Sequence, residues 1–100
     1  MIRQADQRSR DAKSVADALR AKFPGVQVKP FGMASVRVRI IDRRFVGKSK
    51  VQRERLVAPL IDRLPEDVQS GITVLLLLAP GEEQASAMNF EFEHPSRSTL

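Results

Sequence analysis

The sequence predicts a single α+β domain: a three-stranded mixed sheet with helices on one face, in the order helix, strand, strand, helix, helix, strand. Three observations predict it. Apolar residues recur at helical spacing from Ala12 to Phe23, Val36, Val38 and Ile40 alternate with Arg37, Arg39 and Ile41, and an apolar run over 72–79 follows a segment patterned as a helix. One hundred residues suit one core and leave no room for a second.

The first ten residues are polar, hold Arg3, Arg8 and Arg10, and read as a flexible tail at 1–10. From Asp11 the spacing of Ala12, Val15, Ala16, Leu19 and Phe23 predicts a helix over 11–23, stopped by Pro24-Gly25. Val26 and Val28 then alternate with Gln27 and Lys29. Pro30 and Gly32 interrupt this segment, so the first strand is short and belongs at an edge or turns early. Over 36–41 the period of two predicts a strand with Val36, Val38 and Ile40 on a buried face and two arginines on the other.

A loop over 42–48 leads to Ser49, placed as an N-cap with Gln52 three residues on, the spacing of a capping box. The second helix carries Val57, Leu60, Ile61 and Leu64 as its core stripe, with Val51 earlier and Arg53, Glu54, Arg55, Asp62 and Arg63 facing outward. Pro59 inside it predicts either a kink or two shorter helices. Pro65-Glu66-Asp67 opens a short helical turn closed by Gly71. The run over 72–79 reads as a strand buried on both faces, parallel to strand 36–41 through a right-handed helical crossover. The domain thus spans 11–80, and 81–100 reads as an acidic C-terminal tail bearing Glu82, Glu83, Glu91 and Glu93.

Composition removes most catalytic chemistry. Zero Cys excludes disulfides, thiolate metal sites and cysteine nucleophiles, and one histidine, His94, excludes a histidine cage or relay. With no Tyr or Trp, only five Phe are available to stack on bases. No nucleophile–base pair or metal set can be assembled, so the sequence predicts a non-enzyme without cofactor or metal. The N-terminus lacks an apolar targeting segment, and the longest apolar run, eight residues, falls short of the about 20 needed to span a bilayer. The expected location is cytoplasmic, with no membrane partner.

Charge is the strongest non-random feature. Residues 37–55 hold eight basic side chains (Arg37, Arg39, Arg43, Arg44, Lys48, Lys50, Arg53 and Arg55) against two acids, Asp42 and Glu54, a local +6 within a chain of +5. Such a cluster suits phosphates of a nucleic acid, and it equally suits a solvated polar face, because it contains no base-reading groups. Phe45-Val46-Gly47-Lys48-Ser49 ends like a P-loop, but a P-loop needs Gly where Asp42 stands. No two glycines stand three apart, so an RNA-clamping Gly-x-x-Gly loop is absent. The pairs Glu82/Glu83 and Glu91/Glu93 read as solubilising charge. Phe90-Glu91-Phe92 alternates like an added strand or a short recognition segment, which would lay the acidic tail over a basic surface, though a disordered tail is the simpler reading. His94, beside Pro95, reads as an exposed histidine.

The stretch from Phe45 to Val57 resembles the signature of the BolA-like proteins, in which a strand leads into Phe-x-Gly and then a helix bearing Arg-His-Arg-x-Val. The resemblance extends more weakly from Ala12 through Leu78-Ala79-Pro80. It implies a helix–strand–strand–helix–helix–strand sandwich related to the second KH type, in agreement with the order read from periodicity. It also implies a non-enzymatic role, either DNA-binding regulation or pairing with monothiol glutaredoxins around a [2Fe–2S] cluster. The cluster role uses a histidine at the start of the last strand and a His or Cys from the loop between the first two strands. Here the first position falls at about Gly71, the loop Pro30-Phe31-Gly32-Met33-Ala34 has neither residue, and the triplet is Arg53-Glu54-Arg55. Two expectations follow: a nucleic-acid-binding regulator whose eight clustered basic residues contact phosphates, or a protein-interaction adaptor, for example for a glutaredoxin-type partner, without cluster ligation.

Overall fold

A computed structural model describes residues 4–32 and 35–95. Helix α1 (Gln4–Arg20) buries Ala12, Val15, Ala16 and Leu19, the stripe that its spacing predicts. It starts at Gln4 and not at 11, so the expected tail is helical over 4–10, while 1–3 lies outside the described residues. An apolar stripe marks only the packed part of a helix, and a polar extension built from Gln, Ala and Arg favours continuing the turns. The helix ends at Arg20, and the amides of Lys22 and Phe23 close on the Leu19 carbonyl just before Pro24.

Strands β1 (Val26–Phe31) and β2 (Ser35–Ile41) pair antiparallel, from Val26 opposite Ile40 to Phe31 opposite Ser35. Pro30 lies within β1, where it is tolerated because β1 is an edge strand. Strand β2 is central and pairs in parallel with β3 (Ile72–Leu78). A shift in register between Val36 and Arg37 leaves Thr73 out of the pairing.

Helix α2 (Lys50–Ile61) begins at the expected capping box: Gln52 N–H donates to Ser49 Oγ at 3.2 Å, and Ser49 N–H donates to Gln52 Oε1 at 2.8 Å. Pro59 does not divide it. It falls in the last turn, where its missing N–H removes one hydrogen bond and Asp62 N–H still closes on Ala58. Val57 is fully buried, whereas Val51 is 54% exposed and so is not part of the core stripe. Six residues at about 100° each carry Val51 some ~240° around the helix from Val57. The short helix α3 (Glu66–Ser70) contributes Val68.

Between β2 and α2, Phe45 is fully buried and stacks on Phe23 with ring centroids 5.6 Å apart. Gly47, at φ +73, lets the chain turn from that anchor into the helix cap. Val36, Val38 and Ile40 are fully buried against this cluster, each stabilising the fold by about 1.5–3 kcal/mol relative to exposure.

Beyond β3 the expected tail is folded. A 3-10 turn (Glu83–Ala85) leads to α4 (Ala87–Glu93), N-capped by Ser86 Oγ accepting from Asn89 N–H at 3.0 Å. Phe90-Glu91-Phe92 is therefore helical, neither strand nor irregular tail; residues 96–100 lie outside the described residues. Phe92 is 1% exposed and packs with Leu76 and Leu78 in a second, smaller cluster. Leu77 belongs to the main core, so alternate residues of β3 face opposite sides and α4 covers the face away from the main core. Strand β3 is buried on both faces only in its second half, Leu76–Leu78, because it is an edge strand and Thr73 is exposed. Among the described residues no helix is long and apolar enough to cross a membrane.

Candidate binding surface

The eight clustered basic residues separate into groups that sequence proximity does not reveal. Arg37 and Arg39 alternate with the buried valines of β2, so both point to the face that α4 covers. Arg39 is only 6% exposed. Its Nε donates to Gln27 Oε1 at 2.9 Å, its Nη1 to Asn89 Oδ1 at 2.6 Å and also to Glu93, and its guanidinium lies 4.7 Å from the Phe92 ring centre. A buried cation is tolerated only when nearly all its donors are used, and here three side chains and a ring use them. Lys29 Nζ adds a second cation 3.7 Å from Glu93 Oε2. Chiefly through its hydrogen bond with Arg39, Glu93 is held below the usual carboxylate range.

Arg37 lies 4.0 Å over the Phe31 ring and donates to the Glu91 carbonyl at 3.4 Å, while its Nε is buried without a hydrogen-bond partner among the described residues. Neither arginine of β2 forms an open cationic surface, although the period of two placed both off the main core correctly.

Arg44 and Arg53 are held differently. Arg44 forms a fork on Asp42, Nε to Oδ1 at 2.9 Å and Nη2 to Oδ2 at 3.0 Å, donates to the Lys22 carbonyl and lies 4.3 Å from the Phe23 ring centre. That hydrogen bond lowers the Asp42 pKa and raises that of Arg44. Arg53, with a side chain 12% exposed, grips Glu82 through Nη1–Oε1 at 2.7 Å and Nη2–Oε2 at 3.0 Å. It also donates to the carbonyls of Lys48 and Leu77, each at 2.9 Å. Glu82 accepts from Ala79 N–H at 2.9 Å as well, and its pKa falls to about 2, chiefly through Arg53. Glu82 is thus a clasp between α2 and the end of β3, not a solubilising charge. Nothing local in the sequence marks that role, because its partner is 29 residues away.

Arg43, Lys48, Lys50 and Arg55 remain exposed and form no ion pair among the described residues. Lys48 and Lys50 stand with Arg53 and Glu54 along one wall of a groove of about 450 Å³. Leu75, Leu76 and Leu77 of β3 line it too, with Ser86 and Met88 from the α4 side. These apolar and hydroxyl residues were not expected as site residues, and the run over 72–79 signalled only burial. The groove therefore lies along β3 between α2 and α4, with an apolar floor and cations at its edge. Its volume lies within the about 300–1,000 Å³ usual for ligand sites.

The residues do not fit an iron–sulfur cluster. Gly71 caps α3 immediately before β3 and offers no donor atom, and Phe31, Gly32 and Ser35 flank the β1–β2 connection without a His or Cys; Met33 and Ala34 lie outside the described residues. His94 is at the far end of α4, exposed, with its ring 5.0 Å from that of Phe90.

No protein-family model matches the chain, and no curated protein does. Among solved structures it is similar to a bol-like protein from Babesia bovis, with 25% identity and a TM-score of 0.51 over 74% of this chain and 90% of that one. It also matches BolA1 from Arabidopsis thaliana, with 19% identity and a TM-score of 0.47 over 69% of this chain and 88% of that one.

Proposed function

Starting from a chain of BolA-like fold, we propose that it is a non-enzymatic binding module that joins a partner protein, an adaptor and not a protein that tracks nucleic-acid phosphates. The observation that carries this reading is the burial of Arg39 under α4, with Glu93 and Asn89 as its partners. Arg37 lies on the same covered face, and Arg44 and Arg53 each grip a carboxylate. Four of the eight expected phosphate contacts are left: Arg43, Lys48, Lys50 and Arg55. Counterion release gives log affinity a slope of about −0.9 per neutralised phosphate against log salt, so four cations support about −3.6 and eight about −7.2. Duplex binding at physiological salt is expected to be correspondingly weak. Beside two of those cations, Lys48 and Lys50, lies a groove floored by leucines, a mixture that suits a polypeptide better than a polyphosphate.

Affinity capture on the full chain, with and without nuclease, tests the reading. Partners retained after nuclease are expected, together with weak binding of a labelled duplex and a shallow salt slope. Loss of every partner on nuclease treatment would overturn it. The exposed set Arg43, Lys48, Lys50 and Arg55, without an ion pair among the described residues, favours a second reading, regulation through nucleic acid. Tight duplex binding at physiological salt, weakened by Lys48→Ala with Lys50→Ala, would select it.

A further inference from the structure

We propose that the free edge of β3 takes up an extended acidic segment of a partner protein as a fourth strand, with Lys48 and Lys50 meeting its carboxylates. The proposal rests on the adaptor reading and names the site and the mode of recognition.

The two edges of the sheet are not equally protected. Edge strands are ordinarily blunted by charge or proline, and β1 carries both, in Lys29 and Pro30. Strand β3 reads Ile-Thr-Val-Leu-Leu-Leu-Leu, with neither. Among the described residues its only neighbour is β2, so alternate backbone groups face away from the sheet. One of them is identified by its partner: the Leu77 carbonyl accepts from Arg53 Nη1 at 2.9 Å, across the gap to α2. Leu75 is two residues earlier and presents its N–H and C=O to the same side, where no group among the described residues bonds to them. Arg53 thus closes one end of the edge, and the irregularity at Thr73 ends regular pairing at the other.

The groove lies on this open stretch, and its chemistry selects the occupant. Strand addition takes affinity from main-chain hydrogen bonds and specificity from alternate side chains. On one side those side chains would meet the leucine floor and Met88; on the other they would meet Lys48 and Lys50. Arg53 is matched by Glu82 and Glu54 offsets one lysine, so the excess is positive but small. That balance fits a segment of mixed apolar and acidic residues better than a run of acids. Pairing of β3 with β3 in a second copy would bring the same lysines together, which disfavours self-association.

A fluorescent peptide of alternating Val and Glu, titrated into the full chain, tests this. Binding is expected to weaken about tenfold for Lys48→Glu with Lys50→Glu. It should be abolished when the peptide's alternate amides are N-methylated, and hydrogen exchange of the Leu75 amide should slow on binding while β1 is unchanged. Equal binding by the methylated peptide, an unchanged Leu75 amide, or a dimer formed through β3 would overturn strand addition. Nuclease-resistant capture of partners alongside any of those results leaves the adaptor reading standing, whereas loss of capture on nuclease treatment removes that reading itself. Unaltered circular dichroism of the lysine variant excludes misfolding as the cause of weakened binding.

Discussion

Arg39 at the centre of the sheet donates to Glu93, a residue 54 positions further along the chain. This contact, with Phe92 packed beside it, holds α4 over the arginine face of β2. A cation expected to meet phosphates is instead part of the interior. The second cluster is small, with Leu76, Leu78 and Phe92 as its buried residues, so α4 depends heavily on Phe92.

Phe92→Ala should release α4 while leaving the main core folded. A buried Phe truncated to Ala costs about 3–5 kcal/mol, more than a seven-residue helix can recover from its remaining contacts. Hydrogen exchange should accelerate across 87–93 and stay slow in β2. Exposing Arg37 and Arg39 should also steepen the salt dependence of duplex binding from about −3.6 towards about −5.4. An unchanged slope with α4 released would show that these arginines do not contact phosphates even when uncovered.

Stability should fall at acid pH, and Glu82 should contribute to that fall. Its pKa is lowered from 4.5 to about 2, so the folded state favours the ionised form. The contribution is complete above the unfolded value and is lost as pH falls from about 4.5 towards about 2. Glu93 and Asp42, also lowered, act in the same direction. Denaturant midpoints measured down this range should decline less steeply in Glu82→Gln, which starts from a lower stability at neutral pH.

Arg53→Lys should be far from conservative. Lysine keeps the charge but cannot form the two-pronged contact with Glu82 while also reaching the carbonyls of Lys48 and Leu77. A loss of about 1.5–3 kcal/mol is expected in chemical denaturation, the range for hydrogen bonds involving charged groups. A change near zero would mean that the clasp is replaced by water without penalty.

Two glycines should respond differently to alanine. At Gly47 the added methyl meets open space, and only its φ of +73 opposes it, a cost of about 1–2 kcal/mol. At Gly25 the methyl would stand 2.8 Å from the Ile41 carbonyl oxygen, so backbone must move. Thermal denaturation should find Gly25→Ala the more damaging of the two.

Much of the architecture is legible along the chain. The stripes of α1 and α2, the capping box at Ser49 and Gln52, the alternation in β2 and the edge placement of β1 all follow from local spacing, because each records which side of one element is apolar. The same spacing identifies Arg37 and Arg39 as off the main core. It does not say what covers them. A seven-residue helix is too short to show a period, so α4 reads as an acidic tail, and its function as a cover depends on Phe92 finding Leu76 and Leu78 across the sheet. Likewise the +6 of residues 37–55 is a property of composition, but its availability is not. Charge sums along a chain are local, whereas ion pairs form wherever folding returns a carboxylate, as it does with Glu82 at Arg53 and Glu93 at Arg39. Long-range packing therefore leaves Lys48 and Lys50 exposed beside the free edge of β3 and encloses the two arginines of β2.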